Sequence, residues 1–170
     1  TAIWAGRKIV VLKQFETKEW LEAVHKEKIT HAFVVPTMMK QLIDHPEFAK
    51  FDMSSLQNLS YGGAPMPFPV IRKAIEAFPK GTGFVNAFGQ TETTSTLTVL
   101  GPADHRLDGP PAEVERNLKR LTSVGLPLPD VEVQVLDEDN KPLPANEIGE
   151  VVIRTPRVMK GYAGQESATA

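Results

Sequence analysis

The strongest constraint on the fold is an alternation that runs through the first hundred residues. Short apolar runs rich in β-branched side chains are separated by segments whose apolar residues recur at helical spacing. Ala32-Phe33-Val34-Val35 is one such run, Leu56 to Tyr61 a second, and Gly83-Phe84-Val85-Asn86-Ala87-Phe88 a third. Lys8-Ile9-Val10-Val11-Leu12 reads as a further buried strand ahead of them. Runs this short and apolar fit strands covered on both faces. Between them, Trp20, Leu21 and Val24 share one helix face, and Met38, Met39, Leu42 and Ile43 mark a second helix. Val70, Ile71, Ala74, Ile75 and Phe78 make the apolar stripe of a third. The punctuation agrees with this division. Thr17 is the expected N-cap of the first helix, with Glu19 in its first turn, and Lys28 sits in its last turn. Pro36 suits the first position of the second helix, and Pro67 and Pro69 the opening turn of the third. Strands alternating with helices predict an α/β fold, a partly parallel sheet with flanking helices over residues 1–100.

The pattern changes after Thr98. Residues 101–111, with Asp104-His105-Arg106, read as a loop, and Glu113 to Leu121 as a short charged helix, so residues 101–123 form a connector. Val131 to Leu136 alternates apolar and polar residues, Asp139-Asn140-Lys141 is a turn, and Glu150 to Arg154 is another strand. Residues 124–170 are therefore expected to be β-rich.

Composition removes whole classes of function. With 41% hydrophobic and 24% charged residues, the 170-residue chain is neither disordered nor a coiled coil. A net charge of −2 leaves no basic footprint for nucleic acid. The absence of cysteine excludes disulfides, thiolate zinc sites and cysteine nucleophiles, and fits a reducing, cytoplasmic setting. No apolar run is long enough for a membrane span. Thr1 to Lys8 has no signal-peptide layout, and Glu166 to Ala170 reads as part of a surface segment, so the chain reads as an excerpt of a longer protein, with a processed or trimmed complete domain as the alternative. The four histidines, His25, His31, His45 and His105, show no metal-ligand spacing and are expected in solvated or helix-end roles.

In open α/β sheets ligands gather beyond the carboxyl ends of strands, and two strand ends here carry chemistry. Tyr61-Gly62-Gly63-Ala64-Pro65 lets a flat ligand approach the backbone, although taken alone a tight strand-to-helix turn is the better explanation of it. Asn86-Ala87-Phe88-Gly89-Gln90-Thr91-Glu92 offers an amide, a ring, a glycine, a hydroxyl and a carboxylate in seven residues. An adenine could stack on Phe88 and bond to Asn86, Thr91 could donate to a phosphate, and Glu92 could hold Mg²⁺. The bland alternative is a core phenylalanine followed by a polar loop. Met38 and Met39 read as core filler, and Thr93, Thr94, Thr96 and Thr98 as an ordinary strand.

Together these two segments resemble two core motifs of the adenylate-forming superfamily, which includes acyl-CoA synthetases, 4-coumarate-CoA ligases, luciferases and peptide-synthetase adenylation domains. Three further segments are similar to that family in the same order. Thr30 to Met38 resembles the strand and helix lining its acyl pocket. Val124-Gly125-Leu126-Pro127-Leu128-Pro129 with Val131-Glu132-Val133 resembles the start of its β-barrel subdomain. Gly149 to Arg154 with Met159-Lys160-Gly161-Tyr162 resembles its next core motif. The resemblance covers nearly the whole chain, as an internal piece of the large N-terminal domain.

The resemblance implies roles. Phe88 would stack on adenine, Asn86 would face its amino group, and Gly63, Ala64 and Pro65 would border its other face. Ala87 belongs to the same nucleotide wall. Thr91 would contact the α-phosphate, Glu92 would ligate Mg²⁺, and Gly89 and Gln90 would lie beside the reacting carboxylate. Thr91 and Glu92 are thus the expected catalytic residues. The implied enzyme is an AMP-forming acyl-CoA ligase that uses ATP, Mg²⁺ and CoA to activate a fatty or aryl carboxylic acid. Gln90 leans toward acyl-CoA ligases over peptide-synthetase domains, which often carry Pro there. The family's phosphate loop, its ribose-binding Asp motif and its C-terminal domain with the catalytic Lys have no counterpart here, and neither Lys80 nor Lys160 stands at a matching motif. The isolated chain is accordingly expected to be inactive and to self-associate through surfaces that the rest of the enzyme would cover. A peptide-synthetase adenylation domain and a non-catalytic nucleotide-binding or interaction domain are the alternatives.

Overall fold

A computed structural model describes residues 2–169; Thr1 and Ala170, the ends of the expected surface segments, lie outside the described residues. Helix α1 (Thr17–Glu27) buries Trp20, Leu21 and Val24, as the spacing predicts. Its N-cap is Glu16 rather than Thr17: the Glu16 carboxylate accepts a bond from the Glu19 N–H at 2.7 Å. A carboxylate suits the positive end of the helix dipole and leaves Thr17 free to begin the helix. Strand β1 (His31–Val34) leads into α2 (Pro36–Asp44), with Pro36 in the first turn and Met39, Leu42 and Ile43 buried. Strand β2 (Asn58–Gly62) is followed by α3 (Phe68–Ala77), which buries Ile71 and Ala74. Strand β3 (Gly83–Gln90) then turns through a single 3-10 turn, Thr91–Thr93, into β4 (Ser95–Leu100). Helix α4 (Pro111–Arg120) and the short strand β5 (Leu126–Pro127) follow, then β6 (Glu132–Leu136) and β7 (Glu150–Arg154).

The main sheet has the order β1-β2-β3-β4-β5. Strands β1, β2 and β3 are parallel neighbours joined through helices, while β4 and β5 add antiparallel. The reversal follows from connection length: four residues between β3 and β4 allow a hairpin and no crossover. Strands β6 and β7 form a separate two-stranded antiparallel sheet, and among the described residues no barrel is closed. Lys8 to Leu12 is irregular, not a strand, so among the described residues the parallel set has three members instead of four. Ile9 and Val11 are exposed and no neighbouring strand pairs with the run, whereas β-propensity is realised only on a pleated, paired surface.

The core joins α1, α2 and α3 to the strands: Leu21, Val24, Val34, Met39, Leu42, Leu59, Tyr61, Ile71 and Ala74 are each at most 2% exposed. A core of this kind fixes the sheet under the helices and leaves the carboxyl ends of β2 and β3 facing outward.

Candidate functional site at the ends of two parallel strands

The two segments singled out in the sequence lie side by side. Tyr61 pairs with Asn86 and Gly62 with Ala87, so the glycine pair leaves the sheet beside the Asn-Ala-Phe-Gly run, which continues in β3 paired with β4. The approach requires glycine: a Cβ on Gly62 would stand 2.3 Å from the Ala87 carbonyl oxygen. Between them lies a cavity of about 370 Å³, lined by Gly62 to Met66, by Asn86, Ala87, Phe88 and Gly89, and by Leu121 to Val124. Phe88 is 39% exposed, far more than a core ring would be, which removes the bland reading of this residue. The third wall was not expected from the sequence. It follows α4 and is tied in by two bonds: the Asn86 amide donates to the Ser123 carbonyl at 3.3 Å, and the Thr98 hydroxyl to the Val124 carbonyl at 2.6 Å. Nothing local in Leu121-Thr122-Ser123-Val124 signals this role; only the return of the chain to β4 creates it.

Gln90, Thr91 and Glu92 do not line that cavity. They continue past it, over the β3–β4 turn. The ladder shifts register between Phe88 and Gly89, and a Cβ on Gly89 would lie 2.0 Å from the Ser95 carbonyl oxygen. Thr94 and Ser95 have φ of 54° and 103°, left-handed values unusual for side chains that carry a Cβ. Strained turns of this kind concentrate at functional sites. Glu92 is half-buried there, and the Tyr162 hydroxyl donates to its Oε1. That bond is the main reason the Glu92 carboxyl is held below the ordinary carboxylate range, and the same bond pushes the Tyr162 hydroxyl up. Tyr162 lies 70 residues from Glu92; in the sequence it stands only within a segment similar to a family motif, with no contact assigned.

The family model for AMP-binding enzymes matches residues 1–163. The chain belongs to the AMP-binding enzyme family. It is 32% identical over 165 residues to a feruloyl-CoA synthase of Amycolatopsis sp, covering 97% of this chain and 30% of that protein. Among solved structures it is similar to the amide bond synthetase McbA of Marinactinospora thermotolerans, with a TM-score of 0.81 and 32% identity over 96% of this chain and 30% of the other. It is also similar to the o-succinylbenzoate coenzyme A synthetase of Bacillus subtilis in complex with ATP and magnesium ion, with a TM-score of 0.77 and 26% identity over 99% of this chain and 31% of the other. The chain spans about 30% of the length of such relatives.

Membership in the AMP-binding enzyme family gives the site a test to meet. Among the described residues no group of three or more His, Asp or Glu side chains could hold a metal alone. One carboxylate on a turn is nevertheless the donor set that Mg²⁺ accepts when nucleotide phosphates complete its shell, so Glu92 fits such an ion. No Lys or Arg lines the cavity. No helix of the described residues is long and apolar enough to cross a membrane.

One histidine departs from its expected role. His105, in the 3-10 turn Pro102–His105, is only 3% exposed. Its Nδ1 lies 2.7 Å from the Gly101 carbonyl, which can only accept, so Nδ1 carries the proton. Nε2 therefore accepts from the Tyr61 hydroxyl at 2.9 Å. Burial lowers the His105 pKa, and burial also raises that of Tyr61, so both are neutral. This pair sits directly before Gly62 and anchors the β2 end from below.

Proposed function

We propose that the chain supplies the nucleotide-facing wall of an ATP-dependent acid–thiol ligase, which activates a fatty or aryl carboxylic acid as acyl-AMP and passes it to CoA. The observation that carries this reading is that Gly62 to Pro65 and Asn86 to Gly89, aligned through the Gly62–Ala87 pair, line one cavity whose wall presents an accessible ring. Phe88 stacks on adenine, Asn86 faces its amino group, and Gly63, Ala64 and Pro65 border the other face. Thr91 donates to the α-phosphate, and Gly89 and Gln90 lie beside the reacting carboxylate. Glu92 holds Mg²⁺, which when bound offsets phosphate charge. In the first half-reaction a carboxylate oxygen bonds to the α-phosphorus and the bond to the bridging oxygen breaks, releasing pyrophosphate. In the second, the thiol sulfur bonds to the acyl carbon, AMP leaves with the electron pair, and the thiol proton passes to solvent.

The first step brings negative groups together and needs cations. Because none lines this cavity, the chain by itself is expected to release no pyrophosphate with ATP, Mg²⁺ and a panel of acids. A full-length ligase carrying the segment is expected to do so, and to lose the activity on Glu92→Ala. Turnover by the isolated chain overturns the first expectation. A full-length protein that binds ATP yet releases no pyrophosphate with any acid overturns the ligase reading and favours a non-catalytic nucleotide-binding domain. The likeness to an amide bond synthetase supports a second reading of the acceptor, an amine in place of the CoA thiol. Competition between the two acceptors for the same acyl-AMP decides it.

A further inference from the structure

We propose that Tyr162 is a positioning residue for Glu92, holding the carboxylate in the orientation in which it meets a divalent cation and the nucleotide phosphates; this rests on the reading of Glu92 as the metal seat. Glu92 stands on a one-turn helix that fixes its backbone but leaves three side-chain torsions undetermined. A long, partly solvated carboxylate in that position samples many rotamers unless something holds it. The only side chain bonded to it among the described residues is Tyr162. That tyrosine is 44% exposed, so its hydroxyl, more than its burial, accounts for its place.

The segment that delivers Tyr162 is itself clamped to the turn. The Met159 N–H donates to the Glu92 carbonyl at 2.7 Å, and the Thr94 hydroxyl to the Arg157 carbonyl at 2.8 Å. The Arg157 guanidinium donates to the Thr96 carbonyl at 2.6 Å and pairs with Asp130 at 2.8 Å. Beyond it, the Tyr162 N–H is bonded to the Thr169 hydroxyl at 3.0 Å. Residues 155–162 have no strand or helix of their own, so these bonds are what place the ring. The backbone clamps and the hydroxyl can be separated by mutation, because Tyr162→Phe removes only the oxygen. Groups that orient a metal-binding side chain typically change metal affinity by about 10- to 100-fold when removed.

The test uses the ¹⁵N-labelled chain with ATP and Mn²⁺, read as paramagnetic broadening of individual amides. In the wild type, broadening is expected at Thr91, Glu92, Thr93 and Tyr162. Tyr162→Phe is expected to need about tenfold more Mn²⁺ for the same effect, with metal-free AMP affinity and thermal midpoint unchanged. Arg157→Ala, which loosens the clamp, serves as the comparison: a purely structural latch would lower the midpoint and the metal-free affinity in both variants. If Glu92→Gln abolishes the broadening while Tyr162→Phe leaves it intact, the positioning role is overturned and the metal seat stands. If Glu92→Gln changes nothing, or the wild type shows no broadening at these amides, the metal seat itself falls and the proposal with it.

Discussion

At Phe88 a ring stands near a strand end with more than a third of its surface open, in a cavity it shares with the Gly62 to Met66 and Leu121 to Val124 segments. Base–ring stacking contributes about 1–3 kcal/mol per base, so Phe88→Ala is expected to weaken AMP binding about tenfold or more, measured by ligand-observed NMR. Because the ring is not core, the thermal midpoint should hardly move. His105 makes the opposite kind of prediction. Its folded pKa is depressed by burial, with the Gly101 bond and Asp104 opposing, so the unfolded chain binds the proton more readily than the folded one. Stability is then full above the unfolded value of about 6.5 and falls as pH drops below it, by at most about 1.4 kcal/mol per pH unit for one proton. Denaturation between pH 7 and 5 should show this slope, and His105→Gln should flatten it. That Phe88 stands apart from the core near a strand end was legible in the sequence from its polar neighbours. The burial of His105 was not, because the loop around it looks solvated until Asn117 of α4 bonds the Ala103 and Arg106 carbonyls and folds that loop against the sheet.

Among the elements, the β3–β4 hairpin is the one that shapes the site. Its register shift at Phe88 and Gly89 carries the chain from the cavity to the Thr91–Glu92 turn, and the two strands cannot approach at that point with any side chain on Gly89. Gly89→Ala is expected to destabilise the protein by about 2 kcal/mol or more, since a Cβ 2.0 Å from a backbone oxygen forces both strands to move. Urea denaturation measures it; an unchanged midpoint would mean the bulge relaxes freely. Helix periodicity predicted α1, α2, α3 and α4 because each has a face that meets the 3.6-residue repeat. Strand propensity was less reliable. Lys8 to Leu12 has the composition of a strand and lacks a partner, and Leu126–Pro127 pairs with β4 despite containing a proline, which an edge strand tolerates.

For the whole molecule, the surface carries apolar groups that a self-contained protein would seldom leave out: Ile3, Trp4, Val11, Leu126 and Ile148 are each at least 78% exposed. Strand β1 also stands at the edge of the main sheet, with half-buried and exposed positions along it. Open edges and exposed apolar side chains promote association. The chain is therefore expected to self-associate as its concentration rises and to bind a hydrophobic dye; a clean monomer by light scattering that binds none overturns this. By itself the sequence determined the strand–helix alternation, the turn chemistry that separates the units, and the two segments similar to the adenylate-forming motifs. Those features rest on local periodicity and on backbone preferences that each residue carries with it. The tertiary structure decided which strand ends meet, that Tyr61 is aligned with Asn86, that Ser123 closes the cavity and that Tyr162 reaches Glu92. Those contacts join residues far apart in the chain, and their energy exists only once the intervening chain has folded and brought the partners together.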